Sequence, residues 1–190
     1  MARLAPVLHV GDLPLAELCA ARLDGELFAL DEAFAPVDVG AGPVERARAA
    51  GRDWPARLIA ERWSAAWIWG AAERPPARHQ LCASKDARAR PVVPARGVVR
   101  EVVIAADEYE VLGSVRVTTP LRTAVDLARF TDEFGAVEAR TVRHLAAMAG
   151  ADLAECRRAL ERRRNLPGKK IAWARLDAAL DAAAQPELTR

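Results

Sequence analysis

The chain has 190 residues, 52% of them hydrophobic, which is enough to bury a core and excludes a disordered chain. A net charge of +2 argues against a uniformly basic nucleic-acid-binding protein. The charge is uneven, because residues 1–40 hold two arginines and seven acids whereas residues 140–170 hold nine basic residues and three acids. We expect these two regions to contact different partners.

The cysteines and the hydropathy pattern indicate the cellular compartment in which the protein is expected. Cys19, Cys82 and Cys156 are far apart and form no C-x-x-C pair, which favours reduced, buried thiols over a disulfide or zinc framework. No apolar run is long enough to span a membrane, and the N-terminus shows no secretory signal pattern. We therefore expect a cytoplasmic protein without membrane contact.

The first 40 residues are predicted to form a helix followed by a wing-like β-ribbon. Apolar residues recur at helical spacing over residues 13–23, and Asp24-Gly25 ends that pattern. Residues 26–37 are predicted to be a short strand pair with its turn at Asp31-Glu32. Residues 41–55 are assigned to a linker, with a short helix near 44–50.

A second domain is expected over residues 56–190. A helix over residues 56–70 would place Trp63 and Trp67 in the core, with Glu61 and Ser64 on its polar face. Val-rich strands are predicted near residues 79–83, 97–105 and 114–118, and helices over residues 120–130, 135–149, 151–164 and 170–184. Strands followed by helices indicate an α+β fold with a mixed β-sheet and a C-terminal group of helices.

Common catalytic motifs are absent from the sequence. Restriction-type nucleases place an acid two residues before a lysine, but the residues at that position before the three lysines are Ala83, Pro167 and Gly168. No serine lies in G-x-S-x-G, no P-loop occurs, and the histidines form no metal-binding pair. We therefore expect no catalytic residue, metal or cofactor, and keep a degenerate nuclease-related enzyme as the rival hypothesis.

The most informative segment is VRVTTPLRTAVDLARF, residues 115–130. Thr119 suits a helix N-cap and Pro120 the first helical position. Arg122, Asp126 and Arg129 then fall on one polar stripe of the helix. The stripe is either a solvated, charge-paired face or a polar cluster that faces a partner, and the sequence alone favours the solvated face.

This segment resembles the signature V-T-x-P-x-R-T-x-x-D-L-A-R of actinobacterial AbiEi antitoxins, which belong to type IV toxin–antitoxin systems of the abortive-infection type. The same signature occurs in proteins with a very-short-patch-repair-like endonuclease domain. The matching residues are Val117, Thr118, Pro120, Arg122, Thr123, Asp126, Leu127, Ala128 and Arg129, next to the N-cap Thr119. The resemblance extends over about residues 13–185, and the nuclease domain of those relatives is not expected in this chain.

The resemblance implies a winged-helix N-terminus that binds promoter DNA and a C-terminal domain that counteracts a nucleotidyltransferase toxin. This chain departs from that pattern, since its predicted N-terminal helix holds only Arg22 and its ribbon is acidic. An acidic face repels DNA phosphates. We therefore interpret residues 1–40 as a reduced winged-helix unit that contacts a protein or a second copy of the chain.

A basic C-terminal surface is the best candidate for nucleic-acid binding, because arginine suits bidentate contacts to phosphate. Its residues are Arg140, Arg143, Arg157, Arg158, Arg162, Arg163, Arg164, Lys169 and Lys170. A solvated face or a surface for an acidic protein would show the same pattern.

These observations predict a non-enzymatic, antitoxin-like or transcription-regulatory protein. It would act by binding DNA, a partner protein such as a nucleotidyltransferase toxin, or both. An orphan protein-interaction module without DNA binding remains the alternative.

Overall fold

A computed structural model describes residues 5–85, 92–162 and 167–181. The N-terminal unit consists of helix α1 (Leu15–Leu23) and a hairpin of strands β1 (Leu27–Leu30) and β2 (Ala33–Pro36). Leu8 pairs with Phe34 through two backbone hydrogen bonds of 2.8 Å, which adds a third short segment beside β2. The predicted helix and strand pair are confirmed.

Helix α1 is apolar on more than one side. It buries only Leu18, whereas Leu15 and Leu23 are 56% and 87% exposed. A helix that is apolar all round is usually covered on every side. The N-terminal unit therefore presents apolar as well as acidic groups to solvent.

Helix α2 (Pro43–Gly51) lies within the segment that the sequence assigns to a linker, at the position predicted for a short helix. Pro43 occupies the first turn, where its fixed φ suits a helix and its missing N–H costs nothing. Ala47 and Ala49 are buried, and the helix packs against α3 and the central sheet.

The central sheet has five strands in the order β5-β4-β3-β7-β6 and is mixed, as predicted. Strand β3 (Ile59–Ala60) lies between β4 (His79–Ser84), which is antiparallel to it, and β7 (Val115–Thr118), which is parallel. Strand β5 (Gly97–Val102) runs parallel to β4, and β6 (Tyr109–Leu112) forms a hairpin with β7 around Gly113.

Two assignments from the sequence need correction. The helix predicted over residues 56–70 is wrong in its first part, because Ile59 and Ala60 form β3 and helix α3 spans only Arg62–Ile68. The main chain turns at Arg62, whose φ of +48° cannot continue a right-handed helix. Strand β6 was not predicted; it is a four-residue edge strand with no buried residue, so it shows no alternation of buried and exposed positions.

The four C-terminal helices are confirmed. They are α4 (Pro120–Phe130), α5 (Ala136–Met148), α6 (Leu153–Glu161) and α7 (Lys169–Asp181). Helix α4 contacts α3, α5, α6 and α7, so it lies at the centre of the helical layer. Trp67 and Leu127 are almost fully buried in the shared core, and Trp63 is partly buried against it, as the sequence predicts.

None of the helices in the described ranges is both long and apolar enough to cross a bilayer.

Candidate functional site: a buried arginine–carboxylate network

The start of α4 is fixed by the residues that the motif places there. Thr119 has extended dihedral angles, and its Oγ1 accepts a hydrogen bond from the Arg122 backbone N–H at 3.3 Å. The Thr123 hydroxyl donates to the Thr119 carbonyl oxygen at 2.8 Å. The N-cap prediction is confirmed, and this capping sets the rotation of the helix about its axis.

Asp126 is the centre of an ion-pair network on α4 and is fully buried. Arg122 donates from Nε to its Oδ2 at 2.8 Å, and Arg129 donates from Nη1 to its Oδ1 at 2.7 Å. A third guanidinium, that of Arg100 on β5, places Nη2 at 3.5 Å from Oδ2. One carboxylate thus connects two turns of α4 with the sheet.

Glu61 is the second buried carboxylate, at the junction of β3 and α3. It accepts two hydrogen bonds from Arg100, from Nε at 2.5 Å and from Nη2 at 2.7 Å, and a third from Nε of Arg62 at 3.2 Å. A bidentate pair of this kind fixes both side chains in one plane. Because Arg100 also approaches Asp126, Glu61 and Asp126 belong to one network.

The network extends to Glu108 and to the segment before α7. Nη1 of Arg122 lies 2.8 Å from Oε1 of Glu108, an ion-pair distance without good hydrogen-bond alignment. Arg129 donates from Nε to the Pro167 carbonyl oxygen at 3.1 Å. Three carboxylates (Glu61, Glu108 and Asp126) therefore face three largely buried arginines (Arg100, Arg122 and Arg129).

Burial and charge act against each other at these arginines. Burial disfavours the cation at Arg100 and Arg122, but the adjacent carboxylates outweigh it and the pKa of each guanidinium is raised. At Arg129 burial prevails over the attraction of Asp126, and the pKa is lowered. The guanidinium remains charged in every case, because an arginine does not lose its proton in proteins.

The polar stripe is confirmed, but the solvated face that the sequence favours for it is wrong. Arg122 and Arg129 are each 8% exposed, and every residue between them is buried. The sequence contained a signal for this, because nearly all positions of α4 outside the stripe are apolar and such a helix is buried on all sides. The sequence pattern places Glu61 on the polar face of a helix, whereas Glu61 is fully buried. Arg100 and Glu108 were not singled out, since they lie on separate elements with no local pattern to connect them to α4.

A cleft of about 540 Å³ lies beside the network, between the turn at Ala106–Glu108, the N-terminus of α4 and helix α6. Arg122 and Glu108 contribute to its lining, and Arg158 on α6 and Arg162, the residue after α6, lie at the same cleft. Arg162 is paired with Asp107 at 2.9 Å, and Arg158 lies 3.6 Å from Glu155. These exposed pairs are weak and leave the cleft accessible to a competing partner.

Several members of the predicted basic surface are occupied by contacts within the chain. Nη2 of Arg157 donates to both carboxylate oxygens of Asp177, at 2.8 and 2.9 Å, and Nε of Arg143 donates to the Ala179 carbonyl oxygen at 2.9 Å. Arg140 and Lys170 are exposed, and Nζ of Lys169 lies 5.9 Å from the Trp173 ring. Arg163 and Arg164 lie outside the described residues. The members of the predicted basic surface that the structure describes lie on α5, on α6 and its C-cap, and at the start of α7.

A second polar cluster connects the N-terminal hairpin to the central sheet. Nε2 of His79 lies 2.8 Å from Oδ2 of Asp31, and its Nδ1 lies 3.2 Å from Oγ of Ser64. Arg96 approaches Asp31 at 3.3 Å and Glu32 at 2.7 Å. Although these groups include Ser, His and Asp, Ser64 is fully buried and its Oγ accepts the Gln80 N–H at 2.8 Å, so no substrate reaches it.

The three cysteines are free thiols. Cys19 is exposed, contrary to the expectation of buried thiols, whereas Cys82 and Cys156 are buried. Burial raises the pKa of both buried thiols, that of Cys156 to about 11. In the ranges that the structure covers, no three His, Cys, Asp or Glu side chains are arranged to hold a metal ion.

The buried network lies inside a recognisable domain. The sequence profile of the AbiEi antitoxin C-terminal domain matches residues 58–181. The chain belongs to the AbiEi antitoxin family. Its matched region includes Glu61, Arg100 and the whole of α4, and family membership gives the chain an antitoxin role in a toxin–antitoxin system.

Comparison with other proteins gives a distant structural similarity. No curated protein matches the chain. Among solved structures, the chain is similar to the crystal structure of the RV2827C protein from Mycobacterium tuberculosis, at 18% sequence identity and a TM-score of 0.48. The alignment covers 96% of this chain and 73% of that one.

Proposed function

We propose that this AbiEi-family antitoxin counteracts a nucleotidyltransferase toxin by binding, without catalysing a reaction. The observation that carries the proposal is the family match over residues 58–181, centred on the buried network of α4. A nucleotidyltransferase is the toxin class that the resemblance of the α4 motif implies. The network holds the domain in one conformation and so keeps its outer surfaces in a fixed geometry for a partner.

The environment of the polar groups supports binding over catalysis. General acid–base chemistry needs a group that can exchange a proton with a substrate. Asp126 and Glu61 are instead fully buried and accept hydrogen bonds from arginines, and Ser64 is equally inaccessible. These contacts suit a structural role for the network and an interaction role for the surface.

A growth assay tests the antitoxin role. A nucleotidyltransferase encoded next to this chain is expressed from an inducible promoter, alone or together with the chain. Growth arrest by the first protein and recovery upon co-expression are the expected results. Continued arrest while both proteins are present in soluble form would refute the proposal.

A second candidate function, DNA binding, is favoured by exposed cations on the C-terminal helices. Arg140 on α5 and Lys170 on α7 are exposed, and Lys169 precedes Lys170 at the start of α7. The ion pairs of Arg157, Arg158 and Arg162 reduce the number of cations that are immediately available for phosphate. We therefore propose a modest, strongly salt-dependent affinity rather than tight binding.

Gel-shift titrations at two salt concentrations test this second function. The variant R140Q/K169Q/K170Q should weaken binding and lower the magnitude of the salt slope by about one for each phosphate that is no longer neutralised. Arg74→Gln, a change at an exposed residue outside this surface, serves as the matched control. No binding of the unaltered chain to any duplex at low salt would eliminate the DNA function and leave the antitoxin role standing.

A further inference from the structure

A pocket of about 430 Å³ opens at the C-terminal end of α4, where residues of α3 and β4 meet the turn after α4. Its aromatic lining residues are Trp63 and Phe130. Asp132 and Glu133, both exposed, contribute the acidic part of the lining. The pocket therefore combines aromatic surface with two carboxylates.

The two acids are available for a partner. Among the residues that the structure describes, neither Asp132 nor Glu133 forms an ion pair through its carboxylate. Thr131 also lines the pocket, but its Oγ1 is buried and does not face a ligand. The acceptors that the pocket offers to a ligand with donors are therefore the oxygens of the two carboxylates.

Hydrogen bonds from α7 hold the backbone of the turn that carries Asp132 and Glu133. Arg175 on α7 donates from Nη1 to the carbonyl oxygens of Ala128 at 3.1 Å and Thr131 at 2.7 Å. It donates from Nη2 to the carbonyl oxygen of Asp132 at 3.2 Å. A fixed backbone reduces the conformational entropy that binding must overcome.

The aromatic surface differs between the two rings. The Phe130 centroid already lies 4.3 Å from the guanidinium carbons of both Arg100 and Arg129. Trp63 is thus the ring that can offer its π surface to a new cation. Arg62 is the one cation among the lining residues that the structure describes. Its side chain pairs with Glu61 at 3.2 Å, so the charge of the pocket remains negative.

We propose that this pocket binds an arginine side chain of a protein partner. A guanidinium stacks on an indole ring and presents five N–H donors to surrounding oxygens, which matches Trp63 and the two carboxylates. A nucleotide could also stack on Trp63, but Asp132 and Glu133 would repel its phosphate. The proposed antitoxin role does not specify a ligand for this pocket. The inference holds for any protein partner that supplies the arginine.

The test is a titration of the full chain with N-acetyl-arginine amide, followed by NMR of the tryptophan indole N–H resonances. The Trp63 signal is assigned with Trp63→Phe. We expect that signal to shift and saturate, and the variant D132N/E133Q to bind about fivefold more weakly or worse. Glu110→Gln, which changes an exposed carboxylate on β6, should bind arginine amide as the unaltered chain does.

Three results would overturn the proposal. One is equal binding of N-acetyl-citrulline amide, which has the same shape without the charge. Another is unchanged affinity of D132N/E133Q, whose fold is verified by its other indole signals. The third is a Trp63 shift with adenosine monophosphate but not with arginine amide. The growth assay uses no arginine ligand, and the NMR titration uses no toxin. A negative result in one experiment therefore leaves the outcome of the other unaffected.

Discussion

Arg100 and Glu61 form a two-point ion pair across 39 positions of sequence, with Nε and Nη2 of the arginine on the two carboxylate oxygens. Glu61 is fully buried, and Arg100 extends from it toward Asp126 on α4. The pair thus joins the outer strand β5 to the junction of β3 and α3 and to the central helix. Its contribution can be measured, and it leads to the first prediction.

A double-mutant cycle on Glu61 and Arg100 should show strong coupling. Glu61→Leu alone leaves the Arg100 cation without its main partner in a largely buried site and should cost about 3–5 kcal/mol of unfolding free energy. Adding Arg100→Met removes that cation and should restore part of the loss. Urea denaturation of the four proteins gives the coupling energy. Strictly additive losses would show that the two side chains do not act as a pair.

Asp126→Asn should destabilise the domain strongly. The substitution keeps the shape of the side chain but removes the charge that Arg122 and Arg129 both contact. We expect a loss of about 3–5 kcal/mol in chemical denaturation, as for other buried ion pairs that lose one partner. Asp107→Asn is the matched control, because its pair with Arg162 is about 60% exposed on both sides. That change should cost at most about 1 kcal/mol.

Acid should weaken the attachment of the N-terminal hairpin. Burial alone would raise the pKa of Asp31, but the hydrogen bond and charge of His79, with Arg96, hold the pKa below its ordinary value. A lowered pKa contributes stability that is present above the ordinary carboxyl value, about 3.9, and is lost as the pH falls through the folded-state value. The unaltered chain should therefore lose this contribution below about pH 4.

Asp31→Asn tests the acid effect directly. Asparagine tolerates the positive φ of +54° at this turn, so the backbone conformation is retained while the titrating group is removed. The variant should be less stable at neutral pH and should show a smaller decline in stability between pH 5 and 3. Parallel stability curves for the two proteins over that range would contradict the assignment to Asp31.

One thiol should react quickly in the native protein and two should not. Cys19 is exposed, whereas Cys156 is buried and its pKa is raised to about 11, which keeps it protonated near pH 8. The pKa of Cys82 is raised further, by burial and the charge of Glu61. Titration with a disulfide reagent should give one fast equivalent in the native state and three in urea. Cys19→Ser should abolish the fast equivalent.

Most of the local structure can be predicted from the sequence alone. Helical spacing and the turn residues predicted α1, the N-terminal hairpin and all four C-terminal helices, and the Thr119-Pro120 pair located the start of α4. The motif on α4 also pointed to the family. These features depend on neighbours within a few residues, so period and capping are sufficient to predict them.

Which charged residues a partner can contact depends on the tertiary structure, because ion pairs and burial remove several of them from the accessible surface. Asp12, Asp31 and Glu32 of the acidic N-terminal unit are paired with Arg52, His79 and Arg96, so the charge count of residues 1–40 overstates what a partner meets. The stripe on α4 became a buried network because β3 and β5 bring Glu61 and Arg100 against it. These contacts join residues that are far apart in sequence, and they depend on the order of the strands in the sheet. Local periodicity carries no information about strand order, so it cannot predict such contacts.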